Sequence, residues 1–509
     1  MRLSNIKIPL FFASAKLILH LSTNSHYGFH RDELLYLALG KHLDWGYWSN
    51  PPFIGFVSFL NQHILGDGLF ATRLVPALFG AALLFLICLM ARDLGGGNFA
   101  QILAGITGFT SIAYLRSSHM FMPVIIDIFF WSLAALFVIR YLKTENNKWL
   151  MWLAVALGIG FLNKYSVAFL IMALAIAFLL TSQRRVYLKK QTWLAVGLAL
   201  LIVLPNLLWQ WEYNFPVIFH MQNLSETQLA TVNPFIFLLD QVLMHFFGFL
   251  VWIPGLLFLL FNKKMKKYKT VGWIYIATLL LFLVFKGKNY YTLGAYPMLM
   301  AAGGVFWEQQ LKTKWKQYAL AVFIVIGNMP LLPGSLPILP LKQSLAYFDF
   351  MANDLGINSL TRWERGNIEA LPQDYADMLA WKEIANLTIK ATEKTGDPNS
   401  CFIYTENYGQ AGAVLHFAKY KCMENVVSFA DTYRMWAPDE IAPDKKSFIY
   451  INDELGGDVE ELFSDIELIG EVEHPYARER GTKVYLCRQP KGFRRFWKER
   501  AAAVKSMFR

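Results

Sequence analysis

Three carboxylates stand where a charge is expensive. Asp32 and Glu33 are adjacent in His30-Arg31-Asp32-Glu33-Leu34-Leu35-Tyr36, a segment that turns apolar at once, and Asp127 follows Met122-Pro123 into a run of Ile, Phe and Trp. Ionisable groups inside such runs cost several kcal/mol unless they are paired or used. A carboxylate within reach of a hydroxyl can take its proton, and cations or phenols nearby can take up charge on an anionic leaving group. Lys164 between two apolar runs, His220 after an aromatic rim that starts at Trp209, and Lys288, Tyr290 and Tyr291 ahead of another run are candidates for that second task. Tyr36, one helical turn past Asp32, completes the set. Each has a plainer use. The first turn of a helix favours Asp and Glu through its dipole, Asp127 could pair with Arg116 or His119, Lys164 could snorkel to headgroups, and Trp209–His220 could be an interfacial belt.

The elements that must position these groups follow from composition. The chain has 509 residues, 55% hydrophobic and only 17% charged, against about a quarter charged in soluble proteins. Of the 37 acidic residues, 11 precede residue 340 and 26 follow it, so residues 1–339 read as a membrane domain and 340–509 as a water-soluble one. Apolar runs near 8–22, 72–91, 98–115, 123–141, 149–163, 165–182, 192–211, 235–261, 271–285, 290–307 and 318–334 give about eleven transmembrane helices. With the N-terminus inside, the inner segments carry 18 Lys and Arg and the outer ones 7, which satisfies the positive-inside rule and puts every candidate residue and the C-terminal domain outside. The net charge of +11 is thereby used in loops, and no nucleic-acid partner is expected. Residues 30–40 and a piece after Pro51-Pro52 read as amphipathic helices lying on the outer membrane surface. The four cysteines have no metal-binding spacing; Cys401 and Cys422 either pair or remain buried thiols.

The C-terminal part alternates helical and extended patterns: an amphipathic stretch at 373–393, strands near 401–405, 425–429, 447–451, 465–472 and 483–487, and a helix at 408–420. This reads as a small α/β domain with an acceptor-recognition or lid role. Gly409 and Gly412 after the first strand hint at a phosphate-binding turn. Residues 488–509 hold eight Lys and Arg around Phe493, Phe496 and Trp497, which suits an amphipathic helix on an anionic surface.

The order of motifs resembles the GT-C membrane glycosyltransferases of the protein O-mannosyltransferase superfamily, bacterial lipid A sugar transferases among them. The resemblance is carried by Asp32-Glu33-x-x-Tyr36, Trp45-Gly46-Tyr47, Pro51-Pro52, Gly66-Asp67, Arg73-Leu74-x-Pro76-Ala77, Met122-Pro123-x-x-x-Asp127, Leu162-Asn163-Lys164-Tyr165, Lys288-x-Tyr290-Tyr291-x-x-x-x-Tyr296-Pro297 and Glu406-Asn407-Tyr408-Gly409-Gln410. It implies a multi-pass protein of the bacterial cytoplasmic membrane. It further implies inverting transfer of one sugar from a polyprenyl-phosphate donor to a hydroxyl of a glycolipid, polysaccharide or protein at the outer face. Asp32 matches the family's catalytic acid position. Glu33 and Asp127 then orient the acceptor or steady an oxocarbenium-like transition state, and Lys164, Lys288 or His220 neutralises the leaving phosphate. No cofactor is expected, and a divalent metal is left open. Only Lys41 and His42 follow the acidic pair as cations, which argues against aminoarabinose as the sugar, and no Trp-Trp-Asp segment of an oligosaccharyltransferase is present. A transporter or flippase of lipid-linked sugars, or a non-catalytic sensor of them, are the competing readings; neither inverted repeats nor mid-membrane acids favour transport.

Overall fold

A computed structural model describes residues 6–229, 232–418 and 426–508. Among the described residues five helices are long and apolar enough to cross a membrane: Leu69–Asp93, Pro123–Thr144, Lys190–Glu212, Lys263–Val284 and Lys314–Ser335. The shortest of them, at 22 residues, reaches about 33 Å at 1.5 Å per residue. Two further apolar pairs are sharply bent, Val167–Leu179 with Ser182–Leu188 by 112° and Pro234–Leu243 with Phe246–Phe261 by 87°, which brings the count to seven at most. The eleven runs expected from the sequence are therefore not eleven full-length spans. Several are helical but stop early, such as Lys7–Leu21 with 15 residues and Asn98–Phe109 with 12. Hydropathy does not register where helices end: the 98–115 run is broken where the Ser111 side chain caps a new helix, and the 235–261 run turns back beside Phe246, whose φ is +41°. The chain is a multi-pass membrane protein.

Segments assigned to the inner face by charge meet at one end of the bundle. Asp93 there receives Arg140 at 2.9 Å and Lys143 at 3.4 Å, and Lys267 pairs with Glu145 at 3.7 Å.

The helix Arg31–Lys41 does not lie on a membrane surface. Leu34 through Gly40 are all buried, because seven consecutive small or apolar residues cover the whole circumference rather than one stripe. It is clamped between Phe53–Ile64, the second piece expected after Pro51-Pro52, and Tyr408–Phe417 from the C-terminal part. One apolar core runs from Leu84 and Ile87 through Leu34 and Leu39 to Trp381, Val414, Ile449 and Leu486.

Four strands form the C-terminal sheet: β1 (Cys401–Thr405), β2 (Ser447–Asn452), β3 (Phe463–Glu471) and β4 (Lys483–Pro490), in the order β1-β2-β4-β3. β1 and β2 are parallel and the other pairs antiparallel. Of the strand expected at 425–429, Val427 makes one bridge to Tyr404; Cys422, the suggested partner of Cys401, lies outside the described residues. The 373–393 stretch divides into Gln373–Ala376 and Trp381–Glu393 at Ala380, whose φ is +69°.

The basic tail forms the expected helix, Phe493–Lys505, but spends its apolar face inside the protein. Phe493, Trp497 and Ala501 pack on Phe402, Phe448 and Phe463 of the sheet, while Arg494 donates to the carbonyls of Ile441 and Ala442 and Lys505 pairs with Asp439 at 2.6 Å. An anionic membrane surface is thus not what this helix covers.

Candidate functional site

Adjacent carboxylates on a helix point about 100° apart, and the start of Arg31–Lys41 separates Asp32 from Glu33 completely. The His30 ring accepts from the Asp32 amide, and Glu33 accepts from the His30 amide at 2.8 Å, a reciprocal cap. Glu33 also receives Arg73 Nε at 3.1 Å, Arg73 Nη2 at 2.9 Å and the Phe121 amide at 2.9 Å, with both charged side chains fully buried. Two donors on each oxygen leave Glu33 no lone pair for an acceptor. The orienting role expected of it does not fit this geometry; Glu33 instead ties the helix start to Arg73, which also donates to the carbonyls of His26 and Gly28.

Asp32 faces the other way and is 28% exposed. The Tyr408 hydroxyl, from the C-terminal helix, donates to Asp32 Oδ1 at 2.7 Å. Among the described residues no donor is recorded on Oδ2. Arg31 lies over the Tyr408 ring at 5.6 Å, with Nε 3.7 Å from Asp32 and 3.8 Å from Asp377. The close approach that allows this needs glycine: a Cβ at Gly412 would stand 2.7 Å from Leu34 Cβ, and one at Gly409 2.9 Å from Arg31 Cβ. These two glycines let helices touch and do not form the phosphate turn that their spacing suggested.

Asp127 is 4% exposed and accepts from Trp131 Nε1 at 3.1 Å and Ser166 Oγ at 3.0 Å. Its suggested partner Arg116 pairs with Asp374 instead, at 2.5 Å. Lys164 sits 4.9 Å from the Tyr290 ring centre and 4.7 Å from that of Tyr291, and Lys288 lies 6.0 Å from the same Tyr290 ring. Burial pushes Lys164 below its ordinary value, opposed by Asp127 and reinforced by Lys288. Burial likewise lowers Lys288, against the pull of Glu364 and Asp32. Burial also lowers His220, which lies near Asp431, Arg434 and Lys288. Tyr36 is nearly buried, its hydroxyl raised by burial and then by the charges of Asp32 and Asp431. The candidate residues other than Glu33 thus form one electrostatically connected group. Asp32 and Asp127 stand at opposite ends of a chain that runs through Lys288, Tyr290, Tyr291 and Lys164.

Around this group lies a charged seam between the segments that carry His30, Arg31 and Arg116 and the C-terminal part. Burial would raise the Asp374 carboxyl, but Arg116, His30 and Arg31 outweigh it and hold it below the usual range. Asp377 is raised by burial despite His30, Arg31 and Arg478, the last at 2.9 Å. Sequence reasoning assigned no role at the site to Arg31, Tyr408, Asp431 or Arg434. For Tyr408 a signal existed, since Glu406-Asn407-Tyr408-Gly409 stood out as a motif; its partner lies 376 positions away.

No group of three or more His, Cys, Asp or Glu suited to a metal occurs among the described residues. A buried carboxylate held by serine hydroxyl and indole donors, a partly exposed one held by a phenol on one oxygen, and two lysines between them are equipped to deprotonate a hydroxyl while accommodating an anion.

Residues 49–209 match the family model described as dolichyl-phosphate-mannose-protein mannosyltransferase. Over 210 residues, 40% of this chain, the sequence is 28% identical to lipid A galacturonosyltransferase RgtD of Rhizobium johnstonii, and the match spans 42% of that relative's length. The fold is similar to that of ArnT from Cupriavidus metallidurans bound to undecaprenyl phosphate. The TM-score is 0.62 at 15% identity, covering 94% of this chain and 97% of that one. Apo ArnT from the same organism gives 0.60 at 14% identity with the same coverage. The chain has an ArnT-like GT-C fold, and its resemblance to the membrane glycosyltransferases of the mannosyltransferase superfamily holds in both sequence and structure.

Proposed function

We propose that the chain is an inverting glycosyltransferase that moves one sugar from a polyprenyl-phosphate donor to an acceptor hydroxyl at the outer face of the bacterial cytoplasmic membrane. The observation that carries the reading is Asp32: one oxygen fixed by Tyr408, the other without a donor among the described residues, and two lysines in the same electrostatic group. Asp32 Oδ2 takes the acceptor proton as the acceptor oxygen attacks the anomeric carbon. The sugar–phosphate bond breaks on the opposite face, and Lys288 and Lys164 take up the charge that develops on the leaving phosphate. Asp127 serves as the counter-charge that opposes the effect of burial on Lys164. His220 and Tyr36 stand at the edge of the same group, and Tyr290 and Tyr291 form the aromatic wall on which the Lys164 ammonium rests.

Membrane helices up to residue 339 supply the donor side in this reading, and residues 340–509 reach in with Tyr408 from outside. RgtD is named for galacturonosyl transfer to lipid A and ArnT was crystallised with undecaprenyl phosphate; a lipid-linked donor and a glycolipid acceptor follow for this chain by analogy with them.

Replacement Asp32→Asn tests the base. General-base catalysis contributes about 10²–10⁴-fold, so transfer per folded molecule should drop by that factor while undecaprenyl phosphate still binds. Full transfer by the Asn variant removes Asp32 from the chemistry.

A further inference from the structure

The face of the C-terminal sheet that carries the tail helix is not fully covered. A cleft of about 290 Å³ remains between them, close to the lower end of the ~300–1,000 Å³ typical of small-molecule sites. Its construction is unusual for leftover space in a core. Tyr404 and Tyr450 lie side by side on the sheet with their rings 7° from parallel and 6.1 Å apart, and Trp497 stands against Tyr404 at 79°, with centres 5.8 Å apart. Near-parallel tyrosines and a tryptophan set across them thus line one cleft. Three exposed charged side chains, Glu406, Asp458 and Arg500, line the same cleft, and all three act on the Tyr404 hydroxyl. Glu406 is held in place by Tyr450, whose hydroxyl donates to Oε1 at 3.0 Å while accepting from Asn452 at 3.1 Å.

We propose that this cleft is a saccharide subsite, one that takes a neutral or amino sugar of the acceptor; the acceptor assignment rests on the transferase reading above. The chemistry of the lining selects this class. A lining rich in aromatic rings suits the C–H groups of a pyranose ring. Two carboxylates offer several acceptor positions and one guanidinium five donors, which matches vicinal hydroxyls that both donate and accept. A purely apolar ligand would strand all three charges. Uronic acids and phosphorylated sugars meet two carboxylates against one arginine, whereas the ammonium of an amino sugar gains from the carboxylates and the rings.

Position adds a second argument. Glu406 and Tyr408 flank Asn407, and two residues of extended chain span at most about 7 Å. One end of this short link lines the cleft, and the other holds Asp32. A two-residue link thus joins a side chain that lines the cleft to the side chain that holds Asp32.

The test uses the full chain in detergent micelles and saturation-transfer difference NMR with glucose, glucosamine and glucuronate as separate probes. Glucose and glucosamine should show saturation, and glucuronate none. The exposed pair Glu406→Gln and Asp458→Asn, combined, should weaken the two positive signals about tenfold, as expected for lost hydrogen bonds to charged groups. Arg500→Gln, also exposed, should weaken glucose binding but not the preference for glucosamine over glucuronate. Absence of saturation transfer to glucose and glucosamine in the unaltered chain, or equal signals in the Glu406/Asp458 variant, overturns the proposal. In the transfer assay the same pair should raise the acceptor KM about tenfold with the donor KM and kcat unchanged. Should the chain transfer no sugar while the NMR pattern holds, the transferase reading falls and the saccharide site stands.

Discussion

Replacing Glu33 by Gln separates a scaffold acid from a reacting one. The carboxylate is fully buried and receives four hydrogen bonds, two from Arg73 and one each from the His30 and Phe121 amides. A carboxamide keeps one accepting oxygen, and its amino group must face either Arg73 or a main-chain amide, donor against donor. The Arg73 guanidinium then sits fully buried without a counter-ion. Breaking one side of a buried pair costs about 3–5 kcal/mol, and with no solvent at either side chain the full range applies. Arg73→Met should cost at least as much, since it also strands the carbonyls of His26 and Gly28. The two substitutions together should cost less than their sum, by about 2–3 kcal/mol, as for residues in direct contact. Equilibrium unfolding in mixed micelles reads these values, and transfer measured per folded molecule separates stability from chemistry. A Glu33→Gln protein that unfolds within about 0.5 kcal/mol of the parent, yet loses transfer by more than about 100-fold, would show that Glu33 reacts and that its enclosure by Arg73 has been misjudged.

Tyr408→Phe deletes the hydroxyl that donates to Asp32. A hydrogen bond to a charged group is worth about 1.5–3 kcal/mol, so kcat should fall about 10- to 100-fold with the donor KM unchanged, and an unaltered kcat refutes the orienting role. Gly412→Ala places a methyl 2.7 Å from Leu34 Cβ and should destabilise docking of the C-terminal helix by about 1–3 kcal/mol, seen as faster proteolysis after residue 340; unchanged proteolysis means that the helices part without cost. Asp374 titrates below its unfolded value of about 3.9 because Arg116, His30 and Arg31 outweigh its burial. Its stabilising contribution is therefore complete above about pH 4 and disappears as pH falls through the folded value. In Arg116→Gln that protection should be reduced, so hydrogen exchange at residues 373–379 should begin to rise at a higher pH than in the parent. Identical pH profiles for the two proteins would count against the Arg116–Asp374 pair.

Much of the site was legible because polar side chains in apolar sequence are conspicuous. Asp32, Asp127, Lys164 and Lys288 stand out on that ground alone, and they prove to share one electrostatic group. What the sequence could not express was direction. Asp32 and Glu33 differ by one step of helix rotation, and only the partner on each side, Tyr408 or Arg73, decides which is buried. A hint was present for Glu33, since His30-x-x-Glu33 has the spacing of a reciprocal cap, a use that consumes the glutamate.

The same limit explains the misplaced helices. A charged face opposite an apolar one says that a helix covers something greasy, and a bilayer and a protein core answer that description equally well. For Phe493–Lys505 the answer lay in the sheet: Phe402 with Tyr404 and Phe448 with Tyr450 sit two apart on their strands, so each pair points to one face and leaves an aromatic surface that needs a cover. For Arg31–Lys41 it lay in the glycines at 409 and 412, which have no purpose unless another backbone comes within reach. Complementary surfaces were thus written at both partners, hundreds of residues apart, and neither was interpretable until paired. Under the proposed function that pairing would give the C-terminal sheet a place in the chemistry, since the helix that buries Leu34 also carries the hydroxyl that donates to Asp32. Docking and catalysis should therefore fail together when this contact is loosened, and separately when only the Tyr408 hydroxyl is removed.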